Sequence, residues 1–430
     1  MKPACLPLAL AVIGLCLLDA AAAEPPPVMT LDQCVREALA GSPDVRATAR
    51  RAAAAREASQ AARAAYYPWL SASASYTRTD NPPQAFMMTL NQRTLDMRDP
   101  AFNPNQPGDT ENARGTVGLQ YRLYDFGRRG LDTEMADLGH AAGLRNLEAA
   151  RNELVHQVNR GYYGALQARA FSAVQEEALA SIQESLRAAR ERVSSGSALK
   201  TDVLNLEVQL AQANEDLIRA RNGYRLALAA LQTAMGRELP MTPADVDVAP
   251  AEPPAALDYP ALVESRPELR AMEQMADIRE KALQKARREY LPSLNLFGSM
   301  DWDADPSNLD FERSYVVGVV ADLNLFDGFR TRHAAREAAA LAGAARDDQQ
   351  KVRDQLKLDL VQSHLGLRDA WERLSVTRKS IESAGEALKI TRERYQNKAA
   401  DIADLLLAPL VALHAADAPP FRNPSSRDGF

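Results

Sequence analysis

The chain repeats itself, and the repeat limits what it can fold into. "RLYDFGRRG" at Arg122 and "LNLFDGFRT" at Leu323 each end a strand-like run on an Asp and a Gly, then open on a basic residue. Upstream, "GSPDVRAT" at Gly41 matches "SRPELRAM" at Ser265, and "YYPWLSAS" at Tyr66 matches "YLPSLNLF" at Tyr290. Pro43 and Pro68 thus recur as Pro267 and Pro292, both at an offset of 224. Downstream, Asp125 pairs with Asp327, and "ARERVSSG" at Ala189 with "TRERYQNK" at Thr391, at an offset of 202. The change of 22 falls in residues 80–112, a Pro- and Asn-rich loop longer than its counterpart "DADPSNLDFE".

Each half predicts helix, strand, loop, strand, very long helix, turn and helix. The first helices, Leu31 to Tyr66 and Tyr259 to Tyr290, stop before Pro68 and Pro292, because the residue ahead of a proline avoids the helical region. These two prolines mark helix-to-strand junctions. From Arg128 to about Val193, Leu144, Leu147, Leu154, Val158 and Tyr162 recur at helical spacing, as do Leu179, Ile182, Leu186 and Val193. Alanine-rich stretches without proline favour such a helix, which spans about 100 Å and exceeds any compact core. "SSGSALKTD" turns the chain, and Gly236 with Pro240 stops the return helix.

The strand-like runs alternate. Leu70, Ala72, Ala74 and Tyr76 oppose Ser71, Ser73, Ser75 and Thr77; Val117, Leu119, Tyr121 and Leu123 oppose Thr116, Gln120 and Arg122. Leu294, Leu296, Met300 and Trp302 share one side of the third run, and Tyr315, Val317, Val319, Ala321 and Leu323 one side of the fourth. Runs of about 10 residues cross a bilayer as tilted strands. A sheet in lipid must close, and bacterial barrels begin at about eight strands, so four per chain require several copies. The same runs also fit a small sheet in a soluble periplasmic protein, a helical scaffold binding partners along its hairpins.

"MKPACLPLALAVIGLCLLDAAAA" has the charged, apolar and small-residue zones of a signal peptide, residues 1–23, leaving Cys34 as the one mature cysteine. Bulky Leu15 speaks against lipid attachment at Cys16. The first repeat covers 24–240, a Pro-rich linker 241–258, an incomplete second repeat 259–417 and an irregular tail 418–430. Net charge is −6, giving no basic stripe for nucleic acid. His140, His156, His333, His364 and His414 lie far apart, and no nucleophile or phosphate-loop motif occurs. No enzyme, cofactor or metal centre is expected.

Taken in order and twice over, "MTLDQCVREALAGSPDVRA", "AYYPWLSASASY", "REYLPSLNLFGS", the two strand-to-helix runs and the tip runs "ERVSSGSALKTDVLNLEVQLAQA" and "ERYQNKAADIADLLLA" resemble the TolC family of outer-membrane efflux proteins. The resemblance covers nearly the whole mature chain to about residue 416. It implies an α+β, mostly helical fold in which a tandem duplication builds a homotrimer. A 12-stranded membrane β-barrel in outer-membrane lipid would continue into a periplasmic α-helical barrel. It further implies a passive exit duct working with a periplasmic adaptor, or membrane fusion protein, and an inner-membrane pump, in efflux or type I secretion.

Asp125 and Asp327 are expected to cap the long helices, with Gly127 and Gly328 as the permissive turn residues. Arg128, Arg129 and Arg330 follow at the inner rim, either meeting anionic headgroups or solvated. By the resemblance, Asp404, with first-repeat counterpart Asp202, is the candidate constriction carboxylate at the periplasmic entrance; the family's second acidic position falls on Leu407. The other reading of these carboxylates is a helix start favoured by the dipole. Met87, Met88 and Met97 are read as gap-filling residues rather than soft-metal ligands. By the 202 offset about 20 residues of the last helix are missing and Pro409 interrupts the rest, so a non-functional truncated efflux protein is a further reading.

Overall fold

The computed structural model describes residues 27–98, 103, 105–236, 241–246 and 252–396. The predicted signal peptide, Cys16, Asp404, Leu407, Pro409 and the tail lie outside them. The first half contains β1 (Val28–Met29), α1 (Leu31–Gly41), α2 (Pro43–Arg63), a 3-10 turn (Ala64–Tyr66), β2 (Trp69–Thr79), α3 (Pro82–Asn91), β3 (Thr110–Tyr124), α4 (Arg128–Ser194) and α5 (Lys200–Met235). β4 (Thr242–Pro243), α6 (Tyr259–Glu264), α7 (Pro267–Arg288), β5 (Ser293–Ala304), β6 (Glu312–Asp322) and α8 (Arg330–Gln396) follow.

The halves share their element starts and hairpin register. α4 and α8 start 202 apart, and α8 is described to Gln396. In the β2–β3 hairpin Trp69 faces Gln120; adding the two offsets gives Ser293 facing Asp322, the pair observed in β5–β6.

Two expectations need correction. The helices before the strands are each broken in two, because Pro43 and Pro267 stand at the first turn of α2 and α7, where a missing N–H costs nothing and the preceding residue is extended. Ser42 closes α1 and caps α2 by accepting from Val45 N–H at 3.5 Å. The Pro/Asn-rich loop holds a helix, α3, started by Asn81, whose side chain accepts from Gln84 N–H at 3.4 Å.

The antiparallel sheet has the order β2-β3-β5-β6. The helices pack in the matching order: α4 lies between α2 and α7, and α7 lies between α4 and α8. Small residues permit the α2–α4 approach. A Cβ on Gly143 would sit 3.3 Å from the Ala52 backbone, so the seam there runs through Ala142 and Gly143, and Leu144, counted above with the apolar stripe, is 49% exposed. Farther along, α4 pairs with α5 around Leu186, Ala189 and Leu206, braced by Arg190–Glu207 and Arg221–Glu176, both 2.8 Å.

Between these regions lies the main core, where Cys34, Ala38, Val158, Tyr162, Leu231 and Met235 are buried. Each fully buried large apolar side chain contributes about 1.5–3 kcal/mol. β1 and β4 pair in parallel above it. The Tyr162 hydroxyl lies 2.8 Å from Ala244 O and 3.1 Å from Met29 O, and Arg169 Nη1 donates to Pro243 O at 2.9 Å. These contacts fasten the start of the described chain to the segment after α5.

Candidate functional site

Alternation along four strands, added up through their register, gives a sheet with two chemically different faces. On one face Leu70 pairs with Leu119, Ala72 with Val117 and Val117 with Met300, and the row continues through Tyr315. This apolar face is exposed: Leu70 68%, Val317 65%, Tyr315 76%. Such an area of aliphatic surface is stable in hydrocarbon, not in water.

The opposite face carries Ser71, Ser73, Gln120, Thr116, Arg114, Ser299, Asp301 and Asp303 in adjacent rows. Its polar groups bond to one another. Thr116 Oγ1 donates to Asp301 at 2.6 Å, Ser299 Oγ to Asp301 at 3.0 Å, and Arg114 Nε to Asp303 at 2.7 Å. Phe297 lies over Gly318, where a Cβ would meet the ring at 2.6 Å, so any larger residue there would displace the ring.

At the sheet end away from the long helices, α3 folds onto the polar face. Gln92, one residue past α3, donates through Nε2 to Glu111 O at 2.6 Å and Asn112 Oδ1 at 2.9 Å; Asn112 Nδ2 donates to Asp303 at 2.6 Å. Arg93 pairs with Glu312 at 2.8 Å. α3 with Gln92 and Arg93 therefore lies against this end of the polar face. The sequence reading did not find this cover, since the grouping of Asn112 and Arg114 with Asp303 depends on the β3–β5 register.

At the other end each strand hands over to a helix through two consecutive left-handed residues. Phe126 and Gly127 have φ 55° and 77°, Gly328 and Phe329 both 67°. Left-handed backbone is costly for a bulky residue, yet it explains why one copy reads Asp-Phe-Gly and the other Asp-Gly-Phe: both positions take the same conformation. Asp125 accepts from Gly127 N–H at 3.1 Å and Arg129 N–H at 3.0 Å; Asp327 accepts from Thr331 N–H at 2.9 Å and its hydroxyl at 2.5 Å. Both aspartates thus supply helix-start acceptors from outside the helix.

The three arginines have three different surroundings. Arg129 is buried, so the expectation that it meets headgroups or solvent is corrected. It contacts Asp125 at 3.3 Å, donates to Ala65 O and Leu123 O, and lies 4.9 Å over the Tyr66 ring. Arg128 pairs with Glu289 at 3.1 Å, while Arg330 is 80% exposed. Around this level Tyr67, Tyr124, Phe126, Phe326 and Phe329 are exposed, and Trp69, opposite Gln120, stands on the polar face. The reading of the strands above did not collect these rings; aromatic residues are enriched at membrane–water interfaces.

Pro68 and Pro292 each stand immediately before a strand, β2 and β5. Asp202, in the first turn of α5, accepts from Leu199 N–H at 3.3 Å, a helix-start geometry; Asp404 lies outside the described residues. His364 is buried between Tyr259, whose hydroxyl is 2.6 Å from Nδ1, and Pro254 O at 3.0 Å. Met87 and Met97 are exposed and far from any cluster; among the described residues no three His, Cys, Asp or Glu side chains group as metal ligands.

Two carboxylates outside the sheet set an acid limit. The Ser59 hydroxyl, with Arg63, holds Asp137 below its ordinary value of 3.8, and the Thr331 hydroxyl and N–H do the same for Asp327. Folded values below the unfolded ones mean a contribution fully present above the unfolded value and lost as pH falls through the folded one. Heat resistance should be flat from neutral pH to about 5 and fall below about 4. Thermal dissociation scanned against pH checks this: Asp137→Asn should flatten the acid limb, and an unchanged limb in the Asp137→Asn, Asp327→Asn double variant would contradict it.

Residues 34–237 and 259–417 match the outer membrane efflux protein family. Outer membrane efflux protein BepC of Brucella suis biovar 1 is 25% identical over 281 residues, 64% of this chain and 60% of that protein. Fusaric acid resistance protein FusA of Burkholderia cepacia is 27% identical over 326 residues, 73% of this chain and 58% of that one. The chain therefore spans about three fifths of the length of either relative. In fold it is similar to the outer membrane protein VceC of Vibrio cholerae, with a TM-score of 0.75 at 19% identity over 90% of this chain and 91% of that one. Apolar strands, and described helices none of which is long and apolar enough to cross a bilayer, fit a protein seated in the outer membrane with its helices in the periplasm. With both halves matched, the chain belongs to the outer membrane efflux protein family.

Proposed function

We propose that three copies close into a 12-stranded membrane barrel continued by a periplasmic helical barrel, and that the assembly is a passive duct for an efflux or type I secretion system. The observation that carries this reading is the open sheet with an apolar outer face, a polar inner face and two unpaired edges, β2 and β6. Such edges are untenable in lipid unless paired. Eight strands from two copies would enclose a lumen filled by its own side chains, whereas twelve leave an aqueous path past Arg114, Asp301 and Gln120.

In this duct the two repeats, 24–240 and 259–417, each supply one strand pair and one long helix per chain, joined by the linker 241–258; α4 and α5 make the helical hairpin of the first. α3 narrows the outer mouth. The hairpin tips are the surface for the adaptor and, through it, the inner-membrane pump. Asp202 starts α5 just after the first tip, and Asp404, outside the described residues, is its counterpart in the second repeat; three Asp404 carboxylates around one axis would make the entrance attract cations.

Purified protein in planar bilayers should give discrete cation-preferring conductance steps, and Asp404→Asn should move the reversal potential toward anions. A monodisperse monomer that stays soluble without detergent would sink the reading. Conductance with unaltered selectivity in Asp404→Asn would remove only the entrance ring.

A further inference from the structure

The apolar face carries one charge that no described residue answers. Arg313, the second residue of β6, stands opposite Trp302, and its row across the sheet is Ala74, Gly115, Trp302 and Arg313. The adjoining rows are Ala72, Val117, Met300 and Tyr315 on the helix side, and Tyr76, Ala113 and Ala304 on the other. None of the three holds an acid. Carboxylates at neighbouring positions lie on the polar face and are engaged, Glu312 with Arg93 at 2.8 Å and Asp303 with Arg114 at 2.7 Å. Asp305, in the β5–β6 turn, accepts from Ser307 N–H at 2.8 Å. Arg313 is exposed, and its side chain has no ion-pair partner among the described residues.

The first repeat treats the same position differently. By the offsets of 224 and 202, Trp302 and Arg313 correspond to Arg78 and Glu111, which also stand opposite each other, in β2–β3. Those two form an ion pair at 3.5 Å, and Asp109 also pairs with Arg78. There the sheet neutralises its own charge. In the second repeat an indole and an unpaired guanidinium stand in the same places.

A charge on a lipid-facing strand costs little only near a membrane boundary. From Arg313 to Asp322, the last residue of β6, the chain rises about 30 Å, and a tilted strand of that length spans an apolar band of about 25 Å. With the helices in the periplasm, Arg313 stands at the outer boundary. Trp302 lies across from it, and Tyr315, 76% exposed, follows on the same face; such rings settle at headgroup level. We infer that Arg313, with Trp302 and Tyr315 beside it, binds the phosphate of an anionic lipid of the outer leaflet, one site per chain. The guanidinium fork donates to two phosphate oxygens at once, and acyl chains of the same lipid cover Val317 and Val319, exposed farther along the strand. A free phosphate ion has nothing to offer that surface. The inference rests on the reading of the apolar face as the lipid face.

Vesicles of phosphatidylcholine brominated on its acyl chains test both. In full-length protein carrying Trp69→Phe and Trp371→Phe, Trp302 is the one remaining tryptophan of three. Brominated lipid should quench it; unquenched emission would remove the lipid-facing reading, and this site with it. Unbrominated diphosphoryl lipid A should then restore the emission saturably by displacing the quencher. Arg313→Gln should raise the half-saturating concentration about fivefold, Arg313→Lys should recover part of the loss, and Arg78→Gln should change nothing. Initial quenching should be alike in all of them, since each inserts. Equal half-saturation in Arg313→Gln and its parent would overturn the site while leaving the lipid-facing reading intact. So would loss of the lipid A effect in an equal concentration of inorganic phosphate, which would make a free anion the occupant.

Discussion

Val117→Arg is expected to remove the heat-resistant oligomer from the outer membrane, whereas Thr116→Arg, one residue away, is expected to leave it in place. Val117 stands at the middle of β3, on the face it shares with Ala72 and Met300. A guanidinium at mid-depth on a lipid-facing strand costs about 2–4 kcal/mol, and in the proposed ring every copy would carry one. Thr116 points to the polar face, where its hydroxyl already donates to Asp301 at 2.6 Å. An arginine there gains that carboxylate as a partner and remains in water. The predicted result is normal insertion with lower cation conductance. Fractionation, heat-modified gel mobility and bilayer recording on the two variants decide it. Equal loss in both would mean that the faces have been assigned wrongly, and so would equal tolerance.

The second large effect concerns the first strand-to-helix turn. Arg129→Ala leaves the Asp125 carboxylate, 3% exposed, without its counter-charge, and removes donors to Ala65 O and Leu123 O. Breaking a buried pair from one side costs about 3–5 kcal/mol. Arg330→Ala removes a side chain that is 80% exposed and 3.9 Å from Asp327, with an expected cost of about 0–1 kcal/mol. Arg129→Lys should recover only part of the loss, since an ammonium cannot bridge Asp125 and two carbonyls in the plane of a fork. Denaturant unfolding of the detergent-solubilised protein separates these outcomes. Similar, small losses in both alanine variants would refute the structural role of the buried Arg129–Asp125 pair.

The asymmetry between the two turns follows from their neighbours. The backbone of Phe126 and Gly127 lies against α7, whose Arg288 donates to both carbonyls at 3.1 Å. Phe329 and Phe326 lie uncovered beside the open edge β6, 55% and 73% exposed. Two copies of one motif thus sit in different surroundings, one inside the chain and one at its boundary.

Much of this was legible in the residues. Helical spacing and the Asp-Gly turns located α4 and α8, and alternation located four strands, because both are properties of neighbours in sequence. The twin hairpin registers were implied by the offsets. Pro43 and Pro267 were visible, yet both were read through as helix, since an N-terminal proline and an interior one look alike until the chain direction changes around them. α3 was hidden by the Pro- and Asn-rich composition that also starts helices. β1 and β4 are two residues each and have no period to detect.

The sequence by itself determined the local elements, the duplication and the two-faced chemistry of each strand, because spacing, proline and glycine act over a few bonds. Only the tertiary structure decided which repeat lies against which, that Arg129 turns inward while Arg330 turns out, and that Lys281 of α7 meets Glu134 of α4. Those outcomes depend on edges brought together from residues more than a hundred positions apart, and no local pattern encodes which edge is covered and which is left open for another copy.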